Sequence, residues 1–143
     1  MKQHKTYLLI ILFAISVISC TSKKISGDAD RFKKGVFEIP SSKSFGKTTI
    51  IRKDSLQIEK YTTVHTVTKK GIVKIDSVLH IDTLYIKWKN NFFYTLRMKS
   101  PKKKLDKDPI FVQITKVTDS SYSFSAKVGF SNFKQKGVAY KIK

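Results

Sequence analysis

The stretch that decides the fold is SYSFSAKV, residues 121–128. Its aromatic and aliphatic residues fall at every second position, and small or charged residues fill most of the positions between them. Because successive side chains of a strand point to opposite faces, this alternation predicts a half-buried β-strand. We expect Tyr122, Phe124, Ala126 and Val128 to share its inner face.

The same period of two recurs on both sides of this stretch. We predict strands at about 35–39, 47–52, 56–67, 72–81, 84–88, 92–99, 110–117, 121–128 and 137–142. The short breaks between them are rich in Asp, Asn, Gly, Ser and Lys, as tight turns are. This spacing predicts an all-β fold, a single antiparallel meander of about eight strands that forms a small calycin- or lipocalin-like barrel or a sandwich.

The inner faces of these strands can also be predicted. Between residues 72 and 88 the apolar phase changes parity, and a bulge near Asp82 and Thr83 would account for the change. The residues expected inside before it are Val73, Ile75, Leu79 and Ile81, and those after it are Leu84, Ile86 and Trp88. The aromatic residues expected inside are Phe92, Tyr94, Phe111, Tyr122, Phe124 and Tyr140, the last on a face shared with Val138 and Ile142.

The N-terminus has the layout of a secretory signal, which we expect to be helical. A positively charged start precedes an apolar or small run at residues 7–18, too short for a membrane span of roughly 20 residues. The run ends in Val17-Ile18-Ser19-Cys20, which resembles the lipobox of bacterial lipoproteins. The resemblance implies cleavage between Ser19 and Cys20 and a lipid on the Cys20 thiol. A plain signal peptide or an uncut anchor is the alternative, but Cys20 is the only cysteine.

These features divide the chain into a signal peptide at 1–19, a flexible lipidated tether at 20–31 and a β domain at 32–143. Removal of residues 1–19 takes away two lysines and no acidic residue, so the formal charge falls from +19 to +17. Thr21 after the cysteine, and no acidic motif at 22–24, resemble lipoproteins of the outer membrane whose domain faces the periplasm. We expect a monomer held to the membrane through Cys20.

Several segments of the chain resemble a family of small flavobacterial lipoproteins. They are Phe32-Lys33-Lys34-Gly35-Val36-Phe37-Glu38, Ile50-Ile51-Arg52, Gln57-Ile58-Glu59, Trp88-Lys89-Asn90-Asn91 with Tyr94, Ser121-Tyr122-Ser123-Phe124 and Lys136-Gly137. The resemblance covers most of the β domain and implies a domain type, since no function is established for the family. Some of its chains carry the label DNA topoisomerase IV, but this sequence has no nucleotide-binding loop and predicts export away from nucleic acid.

One cluster of titratable residues could support catalysis or a metal. Asp76, His80 and Asp82 share one side of a predicted strand, and a hairpin about residues 69–70 would place Glu59 opposite His80. His65 could join a metal site with Asp76 and His80. However, this side is opposite Ile75, Leu79 and Ile81, so we expect a solvated outer surface, no enzyme, no metal and no cofactor.

Three binding functions remain open. The excess of lysine, with Lys102, Lys103 and Lys104 on the longest loop, favours a basic surface for anionic envelope components such as lipid phosphates or wall polymers. The inward aromatic residues would suit a small apolar ligand, provided that the barrel holds a void of several hundred cubic ångströms. The third is inhibition of, or partnership with, a periplasmic protein. Lysines spread over outward strand positions would equally serve solubility alone.

Overall fold

Eight antiparallel strands follow one another around a closed barrel in the computed structural model of the chain. The structure describes residue 25 and residues 27–41, 46–69 and 72–143. The strands are β1 (Gly35–Ile39), β2 (Thr48–Lys53), β3 (Leu56–Lys69), β4 (Ile72–Asn90), β5 (Phe93–Met98), β6 (Ile110–Val117), β7 (Ser121–Val128) and β8 (Gln135–Lys141). The prediction of an all-β meander is confirmed, and the barrel rather than the sandwich is the form that it takes.

The barrel closes where β1 meets β8. Phe37 pairs with Lys141 and Glu38 with Tyr140, and the Val36 amide donates to the Lys143 carbonyl at 2.8 Å. Gly35 is required here, because its φ is +128° and a Cβ would lie 2.5 Å from that same carbonyl oxygen. Beyond Glu38 and Tyr140 the two strands are no longer paired, so the seam is closed at one end of the barrel only.

The closed end is sealed by a 3-10 helix, Asp30–Phe32, that precedes β1. Phe32 is fully buried, with its ring centroid 5.2 Å from that of Tyr122, and Ala29 is fully buried beside it. Residues 29–31, which the sequence predicts as part of the tether, therefore pack with the barrel. Residues 1–24, with the predicted signal and Cys20, lie outside the described residues. No helix in the described ranges is long and apolar enough to cross a bilayer.

The long hairpin of β3 and β4 is where the predicted strands were wrong. One unbroken ladder pairs Leu56 with Tyr85 and continues to Lys69 and Ile72, so β4 has no bulge near Asp82. β2 leaves β3 after Tyr61, and β5 joins β4 only from Leu84 onward, so the hairpin projects beyond the open end as a two-stranded ribbon. Neither face of the ribbon is covered, and the apolar residues expected inside are exposed: Ile75 by 73%, Leu79 by 62% and Ile81 by 57%.

The inner and outer faces of β8 are the reverse of those predicted, because its small residues point inward. Ala139 is fully buried, whereas Tyr140 and Ile142 are about half exposed. Gly137 lies under the ring of Phe124, where a Cβ would be 2.7 Å from Cζ. The large rings of β7 fill the space that inward side chains of β8 would need, so β8 turns its small residues inward. Phe111 is likewise outward, opposite Lys127, because Ile110, Val112 and Ile114 hold the inner positions of β6.

Candidate functional site at the open end of the barrel

The closed end of the lumen holds a buried arginine. Arg52 on β2 is 1% exposed, and its guanidinium donates to the Gln57 Oε1, to the Phe32 carbonyl and to the hydroxyls of Tyr94 and Tyr122, all at 2.6–2.8 Å. Burial acts to lower the pKa of Arg52, but Tyr94 and Tyr122 outweigh it and leave that pKa raised. The rings around the guanidinium belong to Phe37, Trp88, Tyr94 and Tyr122, with centroids 4.7–5.6 Å away. The charge is therefore held by hydrogen bonds and aromatic faces.

A carboxylate lies one side chain away from this cation. Gln57, which accepts from Arg52, donates through Nε2 to the Glu59 Oε1 at 2.6 Å. Burial raises the pKa of Glu59, the hydrogen bond from Gln57 and the Arg52 charge act to lower it, and Asp82 raises it further. Gln57 thus links the buried cation to the acidic residue nearest the lumen, and no bound group is needed to explain either of them.

The free space within the lumen is small. A cavity of about 150 Å³ lies above the arginine, and its polar lining residues include Gln57 and Glu59. A further groove of about 300 Å³ lies outside it, at the part of the β1–β8 seam that the ladder leaves open. Pockets for drug-sized ligands are about 300–1,000 Å³. The lumen cavity alone is below that range, and the polar groups of Gln57 and Glu59 lie among lining residues that are mostly apolar.

The predicted titratable cluster is assembled differently from what the sequence suggested. Glu59 pairs with Asp82, and His80 is opposite Tyr61, so the prediction that Glu59 lies opposite His80 was wrong by two residues. Because the ladder is unbroken, His80 and Asp82 share the face of Leu84 and lie partly buried at the rim of the lumen, not on the outer surface. Asp76 lies farther along the ribbon and is exposed, and the side chain of His65 is outside the described residues.

Hydrogen bonds occupy the polar atoms of this rim. The Tyr61 hydroxyl donates to the Asp82 Oδ2 at 3.0 Å, and its ring stacks on His80 with the centroids 5.0 Å apart. Burial and then the bond to Asp82 raise the pKa of Tyr61 to about 12, so it remains a donor at neutral pH. Thr63 Oγ1 lies 2.8 Å from the His80 Nε2. In the described part of the chain, no three His, Cys, Asp or Glu residues are grouped to hold a metal ion.

The lysine loop predicted to bind anions carries its own carboxylate. Lys102, Lys103 and Lys104 are exposed just before a second 3-10 helix, Leu105–Lys107. The Asp106 Oδ2 accepts from the backbone amides of Lys102 and Lys103 at 2.9 and 2.8 Å, and the bonds from Lys103 and then Lys102 lower the pKa of Asp106. Asp106 therefore stays ionised and offsets part of the loop's positive charge.

A groove on the outer side of the barrel combines aromatic and basic residues. It has a volume of about 360 Å³ and lies on β5, β6 and β7 beneath the segment 129–134. Its lining includes Phe93, Phe111 and Phe130 with Lys127 and Lys134, and none of its lining residues is acidic. We call it the aromatic–basic groove. The sequence pattern does not indicate it, because the alternation predicts Phe111 in the interior and gives no face to Phe93 and Phe130.

Two phenylalanines on the loop beside the groove are exposed to solvent. Phe130 is 98% exposed and Phe133 is 72% exposed. The loop is braced, since the Gly129 amide donates to the Pro109 carbonyl at 2.8 Å and the Phe133 amide to the Ser131 Oγ at 3.0 Å. Gly129 has a φ of +51°, which a glycine adopts without strain. Exposed apolar residues that form a patch rimmed by polar side chains mark interaction sites.

No protein-family model matches this chain, and neither the curated proteins nor the solved structures include one that is similar to it.

Proposed function

We propose that this protein is a lipid-anchored envelope module without catalytic activity, and that it binds an anionic amphiphile through the aromatic–basic groove. The observation that carries the proposal is Phe130, which is 98% exposed and lines the groove with Lys127 and Lys134, together with Phe133, which is 72% exposed on the same loop. Rings and lysines side by side are suited to a ligand with an apolar part and a negatively charged head. The lipobox-like segment at Cys20 supports the anchor, with the outer membrane as the proposed site.

The affinity that this surface can supply is modest. Full burial of a phenylalanine is worth roughly 1.5–3 kcal/mol, and each lysine near an anionic surface contributes about 1 kcal/mol. Two of each give on the order of 5–8 kcal/mol before the costs of association, which corresponds to micromolar to millimolar dissociation constants at best. A lipid anchor makes such an affinity useful, because it keeps the groove close to the envelope.

Binding to vesicles tests the proposal. The chain from Thr21 onward should sediment with vesicles of 30% phosphatidylglycerol and much less with neutral ones. Phe130→Ser with Phe133→Ser should weaken binding at least tenfold, whereas Leu105→Ser, at a residue that is 65% exposed on the lysine loop, should change it less than twofold. Equal losses from both changes would contradict the assignment of the groove.

Two further variants separate the groove from the lysine loop. Lys127→Gln with Lys134→Gln should weaken binding more than three glutamines at Lys102, Lys103 and Lys104, because Asp106 already offsets the loop. A larger loss of binding in the triple variant would show that the lysine loop, and not the groove, is the binding site. A soluble short-chain anionic lipid that binds as tightly as vesicles would identify a single molecule, rather than a bilayer surface, as the ligand.

A further inference from the structure

Among its described residues, the ribbon formed by β3 and β4 has one face that carries almost no charge. On this face the outward residues of β4 are Ile75, Ser77, Leu79 and Ile81, and those of β3 are Thr62, Val64 and Thr66. Lys60, paired with Ile81, is the one described charged residue between this patch and Tyr85, which lies farther down on the same face. In a chain of formal charge +19, with lysines on most exposed surfaces, such an uncharged face is unusual. We call it the ribbon face.

The exposed apolar area of this face is as large as a monomer tolerates. Val64 is 63% exposed, Ile75 73%, Leu79 62%, Ile81 57% and Tyr85, below them on the same face, 50%. Together these side chains present on the order of 500 Å² of apolar surface, in the upper part of the range for monomers. An exposed apolar area of this size favours contact with another apolar surface.

We propose that the ribbon face is covered by the ribbon face of a second copy of this chain. Two such faces would bury about 1,000 Å² in total, which reaches the lower limit for a specific interface. An almost uncharged face of valine, isoleucine, leucine and threonine is complementary to itself, so a twofold axis can join two copies. The dimer would be weak, and it replaces the monomer that the sequence suggested.

The direction of the ribbon fits this arrangement. The N-terminal 3-10 helix seals the end of the barrel opposite to the ribbon, which extends about 26 Å beyond the rim at 3.3 Å per residue. If the anchor at Cys20 holds the sealed end at a membrane, as proposed above, both ribbons project away from it. A twofold axis parallel to the ribbons then brings their faces together with both anchors in one bilayer. The parallel orientation rests on the proposed anchor, whereas the dimer itself does not.

Cross-linking of the full chain in its host membranes tests the dimer. Ser77→Cys places a thiol at the centre of the ribbon face, and the matched control Asp76→Cys places one on the next residue, which points to the opposite face. A short bismaleimide spans the roughly 10 Å between packed sheets. We expect at least fivefold more cross-linked dimer from Ser77→Cys than from Asp76→Cys. Equal yields, or a product whose mass shows a different protein, would overturn the proposal.

A second pair of variants tests the apolar contact. Leu79→Lys should abolish the dimer that sedimentation velocity detects for the full chain in detergent, while Val78→Lys, at a residue that is 45% exposed on the other face, should leave it intact. Both substitutions are at exposed positions, and an unchanged circular dichroism spectrum checks the fold. A monomer at all concentrations, or equal loss in both variants, would refute the ribbon face as the interface. Neither variant alters the aromatic–basic groove, so failure here leaves the proposed ligand function standing.

Discussion

The buried arginine provides the sharpest prediction about stability. Tyr122→Phe removes only the hydroxyl that accepts from the Arg52 Nη2 at 2.7 Å and keeps the ring that packs on Phe32 and Phe37. One N–H of a buried cation then lacks its acceptor, and hydrogen bonds to charged groups contribute about 1.5–3 kcal/mol. We therefore expect Tyr122→Phe to lower the free energy of unfolding by about 2 kcal/mol, which a domain with a stability of about 5–15 kcal/mol survives.

A double-mutant cycle isolates this interaction. In an Arg52→Met background there is no cation to leave unpaired, so the same Tyr122→Phe change should cost less than about 0.5 kcal/mol. The coupling between the two positions should therefore be about 1.5–3 kcal/mol. Urea unfolding of all four proteins, followed by circular dichroism, measures it, with equal m-values as the control for the unfolded states. A coupling below about 0.5 kcal/mol would show that the Tyr122 hydroxyl does not stabilise the arginine.

The remaining predictions concern three other positions. Glu59 has a pKa raised above 4.5, so the native state binds more protons than the unfolded state between that value and the raised one, and stability falls as the pH rises through this window. Glu59→Gln should abolish that fall in urea unfolding between pH 4 and 8, and an unchanged slope would show that another group causes it. Gly137→Ala should cost about 1–3 kcal/mol in thermal unfolding, because its Cβ would lie 2.7 Å from Phe124 Cζ, and Phe124→Leu should recover part of the loss. Cys20→Ala should prevent uptake of labelled fatty acid and processing of the precursor, and normal acylation would refute the anchor.

The sequence predicts the barrel well because most of its strands are covered on one side only. In β7 the alternation of Tyr122 and Phe124 with serines follows directly from an inner and an outer face, and the structure confirms it. Where a strand has no inner face, the same pattern misleads. Ile75, Leu79 and Ile81 alternate as core residues do, yet the ribbon beyond the rim exposes both of its faces. Packing partners, which the sequence does not display, decide between the two.

The buried polar residues show a second limit. Arg52 lies on the same inner face of β2 as Ile50, and Gln57 and Glu59 share the inner face of β3. Polar residues at these inward positions are the one sequence feature that indicates a buried polar site. The segments that resemble flavobacterial lipoproteins contain all three, but without roles. Strands β2, β3, β5 and β7 bring these residues together around one guanidinium. The contacts join residues that are distant in the sequence, such as Arg52 and Tyr122. Local patterns do not encode such contacts.

One fluorescence measurement tests the proposed function most directly. Phe130→Trp places an indole at the most exposed position of the aromatic–basic groove, and Leu105→Trp places one on the lysine loop as the matched control. With vesicles of 30% phosphatidylglycerol, the tryptophan at 130 should shift to shorter wavelength and be quenched by brominated acyl chains, while the one at 105 should do neither. A response from position 105 alone, or from neither position, would contradict binding of an anionic amphiphile at this groove.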